Sequence, residues 1–160
     1  KIIAVQPATV RIYPTVVLEN TELAELYKSG KYQPETVDSA AGLWAKLLLM
    51  FNEADITVIR TGLHSGGGVE GEYLAGAYHP AFKELCEGKI YINKAIEYIK
   101  ENKIPQGKII IYVARDAISK MTGQKRCNIL KLKEMGYDAK ITADSKTGKY
   151  QLYIIRNKEL

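Results

Sequence analysis

The side chains best suited to chemistry in this sequence fall in two places. The first is the run Val10-Arg11-Ile12-Tyr13-Pro14. Strand side chains alternate between faces, so Val10 and Ile12 make one face apolar while Arg11 and Tyr13 put a guanidinium and a phenol on the other. Arg pairs with carboxylate or phosphate, and Tyr donates or accepts a hydrogen bond, so such a strand suits one wall of a polar pocket. Arg60 ends Ile56-Thr57-Val58-Ile59. Period-two alternation puts it with Ile56 and Val58, either pointing into a cleft at the strand end or pairing with Glu53 or Asp55. His64, Tyr78 and His79 lie in the connecting stretch that follows and complete the pocket candidates. Two histidines without a carboxylate at ligand spacing do not argue for zinc. His79-Pro80 suits the start of a helix better than a catalytic base.

The second place is Thr122-Gly123-Gln124-Lys125-Arg126-Cys127-Asn128-Ile129. Residues 1–105 hold 11 Lys/Arg and 13 Asp/Glu, a net of −2, whereas residues 106–160 hold 12 and 5, a net of +7. A basic third on a near-neutral body is the footprint of a polyanion-binding module or, equally, of a solvated lysine-rich surface. Lys120, Lys125, Arg126 and Lys131 are placed to contact phosphates, and Gln124 and Asn128 to reach bases. Two short helices joined by this turn inside a β-α-α-β frame resemble the KH nucleic-acid module, in which a GxxG loop brings the phosphate backbone to a helix N-terminus. Here the loop reads Gly123-Gln124-Lys125-Arg126, so the second glycine is replaced by a cation.

The elements that must position these residues read as an α/β chain. Lys1–Val5 and 11–18 have strand character. Thr21 caps a short helix, and Thr36 or Asp38 caps a longer one to about Asn52. Its expected buried stripe is Ala40, Leu43, Trp44, Leu47 and Phe51. A strand over 56–63 completes a strand–helix–strand unit. Residues 64–79 read as a mobile loop. Within it Gly66-Gly67-Gly68-Val69-Glu70-Gly71 matches GxGxxG, but Glu70 and Glu72 put negative charge where a pyrophosphate would sit and no helix is expected to open at once, so it does not read as a dinucleotide site. Two helices are expected over 81–87 and from Asn93 to about Asn102, the second burying Ala95, Ile96 and Ile99. Pro105-Gln106-Gly107, where the charge balance shifts, is the expected boundary between domains 1–105 and 106–160. Beyond it come a strand over 108–114, two short helices, Gly136 as a helix stop, and a hairpin of strands 138–143 and 150–156.

Composition bounds the reading. Apolar residues are 46% and charged residues 26% of the 160, enough apolar content to bury a core. No apolar run approaches the roughly 20 residues of a membrane span, and no secretory leader is visible. Cys86 and Cys127 are far apart in sequence, and two lone thiols fit a reducing cytoplasm. The chain does not begin with Met, which fits a fragment or a processed product.

Taken together, Thr9-Val10-Arg11-Ile12-Tyr13-Pro14-Thr15-Val16-Val17-Leu18 through Tyr27-Lys28-Ser29-Gly30-Lys31-Tyr32, Val58-Ile59-Arg60-Thr61-Gly62-Leu63 and Ala75-Gly76-Ala77-Tyr78-His79-Pro80-Ala81-Phe82 resemble the C-terminal portion of radical SAM proteins of the elongator-catalytic-subunit type. The resemblance spans roughly residues 5–90. It implies the end of a partial TIM-like barrel followed by an α/β extension. It also implies that the full-length protein holds a 4Fe-4S cluster and S-adenosylmethionine, and that this portion packs on its own N-terminal barrel. Arg11 and Tyr13 would then face the barrel lumen. Elongator relatives modify the wobble uridine of tRNA, so tRNA is the implied partner. Two features depart from that pattern. The CxxxCxxC ligand motif is absent, so this fragment itself is expected to carry no cofactor and to be inactive alone. Nothing after residue 80 resembles the elongator acetyl-CoA loop. The sequence leaves open two other readings: a stand-alone RNA-binding module, and a radical SAM enzyme with a small-molecule, porphyrinogen-oxidase-like substrate.

Overall fold

The computed structural model describes residues 1–64 and 69–157. The chain is α/β and divides into two units, Lys1–Lys83 and Glu84–Leu160.

The first unit opens with one helical turn, α1 (Ile2–Val5), where the β-branched run suggested a strand. Next come β1 (Thr9–Ile12), β2 (Val16–Leu18), α2 (Glu22–Lys28), α3 (Val37–Glu53), β3 (Thr57–Thr61), α4 (Val69–Glu72) and β4 (Tyr73–Gly76). The expected single strand over 11–18 is two strands because Pro14, which has no N–H, interrupts the ladder. Before it β1 pairs parallel with β3, and after it β2 pairs antiparallel with β4. Both helix starts are capped as their sequences require: Thr21 Oγ1 accepts from Ala24 N at 3.2 Å, and Thr36 Oγ1 accepts from Ser39 N at 3.1 Å.

The buried side of α3 is Ala40, Ala41, Ala45, Leu48 and Phe51. The stripe is turned from the expected one, and Leu43 is exposed. Small residues here let the helix lie close to the apolar side of the β1–β3 pair, where Val10, Ile12 and Val58 are half-buried and Thr61 is buried. The expected loop over 64–79 contains α4 and β4, because β4 supplies the ladder that β2 needs. Of the glycine run, 66–68 lie outside the described residues, and a single helical turn begins at Val69.

The unit boundary falls in the first turn of α5 (Phe82–Glu101), not at 105. The two helices expected here are one. The helix runs through Gly88, a buried point of close approach: its carbonyl accepts from Asn128 Nδ2 at 3.0 Å. After α5 come β5 (Gly107–Val113), a 3-10 turn (Arg115–Ala117), α6 (Ile118–Thr122), a second 3-10 turn (Gln124–Arg126), α7 (Cys127–Glu134), β6 (Tyr137–Ala143) and β7 (Leu152–Arg156).

Pro105-Gln106-Gly107 joins α5 to β5 within this unit, fastened by Tyr137 Oη donating to the Ile104 carbonyl at 2.9 Å. Strands β6 and β7 do not form a hairpin with each other. The sheet order is β6-β5-β7, with β5 parallel to β6 and antiparallel to β7. The most apolar strand takes the centre: Ile109, Ile111 and Val113 are fully buried. The opposite sheet face carries Tyr112 and Tyr153 stacked at 4.7 Å.

Candidate functional site

In the first unit, β1 and β3 are joined by a crossover through α2 and α3, and α3 lies against β3. The other face of the strand pair is open. Its register runs Thr9 opposite Thr57, Val10 opposite Val58, and then Arg11 opposite Arg60, with a bulge that leaves Ile59 unmatched. The bulge changes where Arg60 points. Strict alternation would have placed it with Val58 on the apolar side. Instead Ile59, 50% exposed, and Arg60 both lie on the open side, and Thr61 returns to the buried one. Arg11 is exposed beside Arg60, and Tyr13, 43% exposed, follows on the same side. Neither arginine has a hydrogen bond or ion pair among the described residues, so the Glu53 and Asp55 pairing weighed for Arg60 does not form.

The other three pocket candidates are not gathered there. His64 is exposed in the segment after β3. His79 is occupied structurally: its Nδ1 accepts from Ala81 N at 3.0 Å and its carbonyl from Phe82 N at 3.0 Å, which orients the start of α5. Tyr78 packs against Tyr73 with ring centroids 5.7 Å apart, beyond the end of β4. Sequence periodicity alone missed the Arg11–Arg60 pairing, because a bulge leaves no mark in hydropathy.

In the second unit, the turn between α6 and α7 sorts its candidates into two groups. Asn128 is 5% exposed and spends its amide on the Gly88 carbonyl at 3.0 Å and the Lys120 carbonyl at 3.2 Å. It is a structural tie and does not reach a base. Lys120 lies 3.5 Å from Glu87 Oε2 and 3.4 Å from Asp116 Oδ2, so it is neutralised internally and is not a free phosphate contact. Glu87, 4% exposed, also accepts from the Tyr150 hydroxyl at 3.1 Å, and Tyr91 Oη accepts from Tyr150 N at 3.1 Å. Burial pulls the Lys120 ammonium down, but the Glu87 and Asp116 carboxylates outweigh it and hold its pKa above the ordinary value. Burial, then the Glu87 charge, pushes the Tyr150 phenol up.

Gln124, Lys125, Arg126 and Lys131 remain exposed, and both Lys125 and Arg126 hold left-handed backbone at φ 51° and 62°. Gly123 has no room for a side chain, since a Cβ would lie 2.6 Å from Cys127 Sγ. Arg126 precedes α7 without a side-chain cap, which leaves the first N–H groups of that helix beside two cations.

The thiols do not suit an iron–sulfur cluster. Cys86 is fully buried, and burial pushes its thiol up to about 12, so it stays protonated. Cys127 is exposed at the start of α7. Among the described residues no three His, Cys, Asp or Glu side chains gather in a metal-binding group. No helix among them is long and apolar enough to cross a membrane.

No curated protein and no solved structure matches the chain. The model of the Radical_SAM C-terminal domain matches residues 7–92, which takes in β1 to β4 and about half of α5 and leaves the β6-β5-β7 sheet outside. That span holds the paired arginines and more than half of the sequence, and the chain belongs to the radical SAM C-terminal domain family.

Proposed function

We propose that this chain is the C-terminal part of a radical SAM enzyme of the elongator-like kind, and that its second unit binds tRNA for the reaction. The 4Fe-4S cluster and S-adenosylmethionine are then held by a segment outside these 160 residues, because the thiols present here do not fit the cluster. In a barrel the helices lie outside and the opposite strand face lines the lumen. The β1–β3 pair, with α3 on one side and Arg11, Tyr13 and Arg60 on the other, suits the last strands of such a barrel.

The observation that carries the RNA reading is the exposed turn Gln124-Lys125-Arg126 at the uncapped start of α7. The surrounding frame supports it: a helix pair crosses between parallel strands β5 and β6, as in modules that bring RNA phosphates to a basic loop. Arg126 occupies the place of the second glycine of GxxG and adopts the left-handed conformation that a glycine would take. The work of this chain's residues is then to hold the polyanion: Lys125, Arg126 and Lys131 supply charge, and the open N–H groups of α7 donate to a phosphate oxygen.

The test is titration against tRNA and a length-matched single-stranded DNA at two salt concentrations. Preference for tRNA, with log affinity falling linearly in log salt, is the expected result. Lys125→Ala should weaken binding and reduce the salt slope by about one. An unchanged slope removes the turn from the interface, and equal affinity for the DNA leaves non-selective polyanion binding in place of tRNA recognition.

A further inference from the structure

We propose that Arg11 and Arg60 form a binding site for a phosphate group carrying two negative charges, assembled by the bulge at Ile59. Register partners on adjacent strands are about 4.8 Å apart and point to the same face. Two cations so placed repel, a cost of up to about 1 kcal/mol per pair. Without the bulge Arg60 would turn to the side that α3 covers. The fold therefore spends an irregularity on bringing two like charges together, with no carboxylate partner for either among the described residues. The first unit is otherwise acidic: residues 1–83 hold 7 Lys/Arg and 9 Asp/Glu. General attraction for anions does not explain the pair.

The donor set decides the ligand class. Each guanidinium is a planar fork that grips two oxygens. A carboxylate has two oxygens and one charge, which a single fork satisfies. A terminal phosphate has three free oxygens and a charge of about −1.5 to −2 at neutral pH, which matches two forks and two cations. Tyr13, next on the same side, has its hydroxyl available to the third oxygen. The phosphate belongs either to a free inorganic anion or to a nucleoside monophosphate. The site stands on the first unit alone and does not depend on RNA binding by the second.

The experiment is calorimetric titration of the 160-residue chain with inorganic phosphate and with adenosine 5′-monophosphate, using adenosine and acetate as controls. Both phosphates should bind and compete with each other, and neither control should bind. Tighter binding of the nucleotide assigns that source, and equal binding assigns the phosphate alone. Arg11→Ala and Arg60→Ala should each lose about tenfold or more, with the double variant little worse than either, because the two forks act on one anion. Lys replacements should restore only part of the affinity, since an ammonium cannot form the bidentate contact. Nucleotide affinity should fall as pH drops below the second phosphate pKa of about 6. Losses no larger than for the exposed control Lys31→Ala, strictly additive losses, or equal binding of acetate would each overturn the proposal.

Discussion

Arg126 shows how one residue can carry two effects of opposite sign. Its left-handed backbone costs a non-glycine residue about 1 kcal/mol, and its guanidinium stands free at the start of α7. Arg126→Gly should therefore raise stability in urea by up to about 1 kcal/mol, the gain being trimmed by the extra entropy of glycine in the unfolded chain. The same variant should bind tRNA more weakly and with a smaller salt slope. A variant that is less stable would mean that the Arg126 side chain has a packing role. Asn128 and Lys120, only a few residues away, are polar in the same sequence run yet turn inward. The sequence shows that the run is polar but not which members α5 will claim, because the Gly88 carbonyl lies 40 residues before Asn128 and the Glu87 carboxylate well upstream of Lys120.

At the scale of elements, glycines of similar appearance have opposite roles. Gly62, at φ 83°, closes on Phe82, and an added Cβ would lie 2.9 Å from the Phe82 Cβ. Gly62→Ala should cost about 2 kcal/mol through strain and overpacking. Gly88 sits in α5 with helical geometry, and its added Cβ would meet nothing closer than the Lys120 carbonyl at 3.5 Å, an ordinary contact. Gly88→Ala should be neutral or stabilising by up to about 1 kcal/mol, the helix-propensity difference. Urea midpoints of the two variants check both signs.

The two helices expected over 81–87 and from Asn93 are one, because a single glycine is only a weak local cost that helix packing overrides. Thr21 and Thr36 were legible because a cap is a local device, satisfied within three residues. The expected β6–β7 hairpin does not form, for the converse reason. Sequence adjacency favours pairing neighbours, whereas the isoleucine-rich β5 is more apolar than either and is most stable between them. The bulge at Ile59 is illegible too: Arg60 closes an otherwise apolar strand face, which a cleft position or an ion pair at the strand end explains as well as a slip, and only its pairing with β1 reveals the bulge.

At the scale of the whole chain, the buried titratable groups predict how the protein fails at alkaline pH. Cys86, Lys120 and Tyr150 all belong to Glu84–Leu160, and each keeps its proton to a higher pH when folded than when unfolded. As pH rises past the ordinary thiol value of 9.0, the unfolded chain releases a proton that folded Cys86 retains up to about 12. The tyrosine and lysine follow above their ordinary values of 10.0 and 10.5. The unfolded state then binds fewer protons than the folded one, so stability falls with pH, by about 1.4 kcal/mol per pH unit for each such group. The loss should begin near pH 9 and steepen above 10.

The two units carry separate reporters. Trp44, the sole tryptophan, lies in the first, and buried Cys86 lies in the second. Urea titrations at about pH 7.5 and about pH 10 can follow Trp44 fluorescence alongside pulsed alkylation of Cys86, normalised to the unfolded chain at each pH. The Cys86 midpoint should move to lower urea at the higher pH, and the Trp44 midpoint should move less. If both midpoints move equally, the two units unfold as one cooperative body and the alkaline sensitivity of the second is transmitted to the first. If neither moves, the buried Glu87–Lys120–Tyr150 cluster does not hold its protons as its burial and charges require.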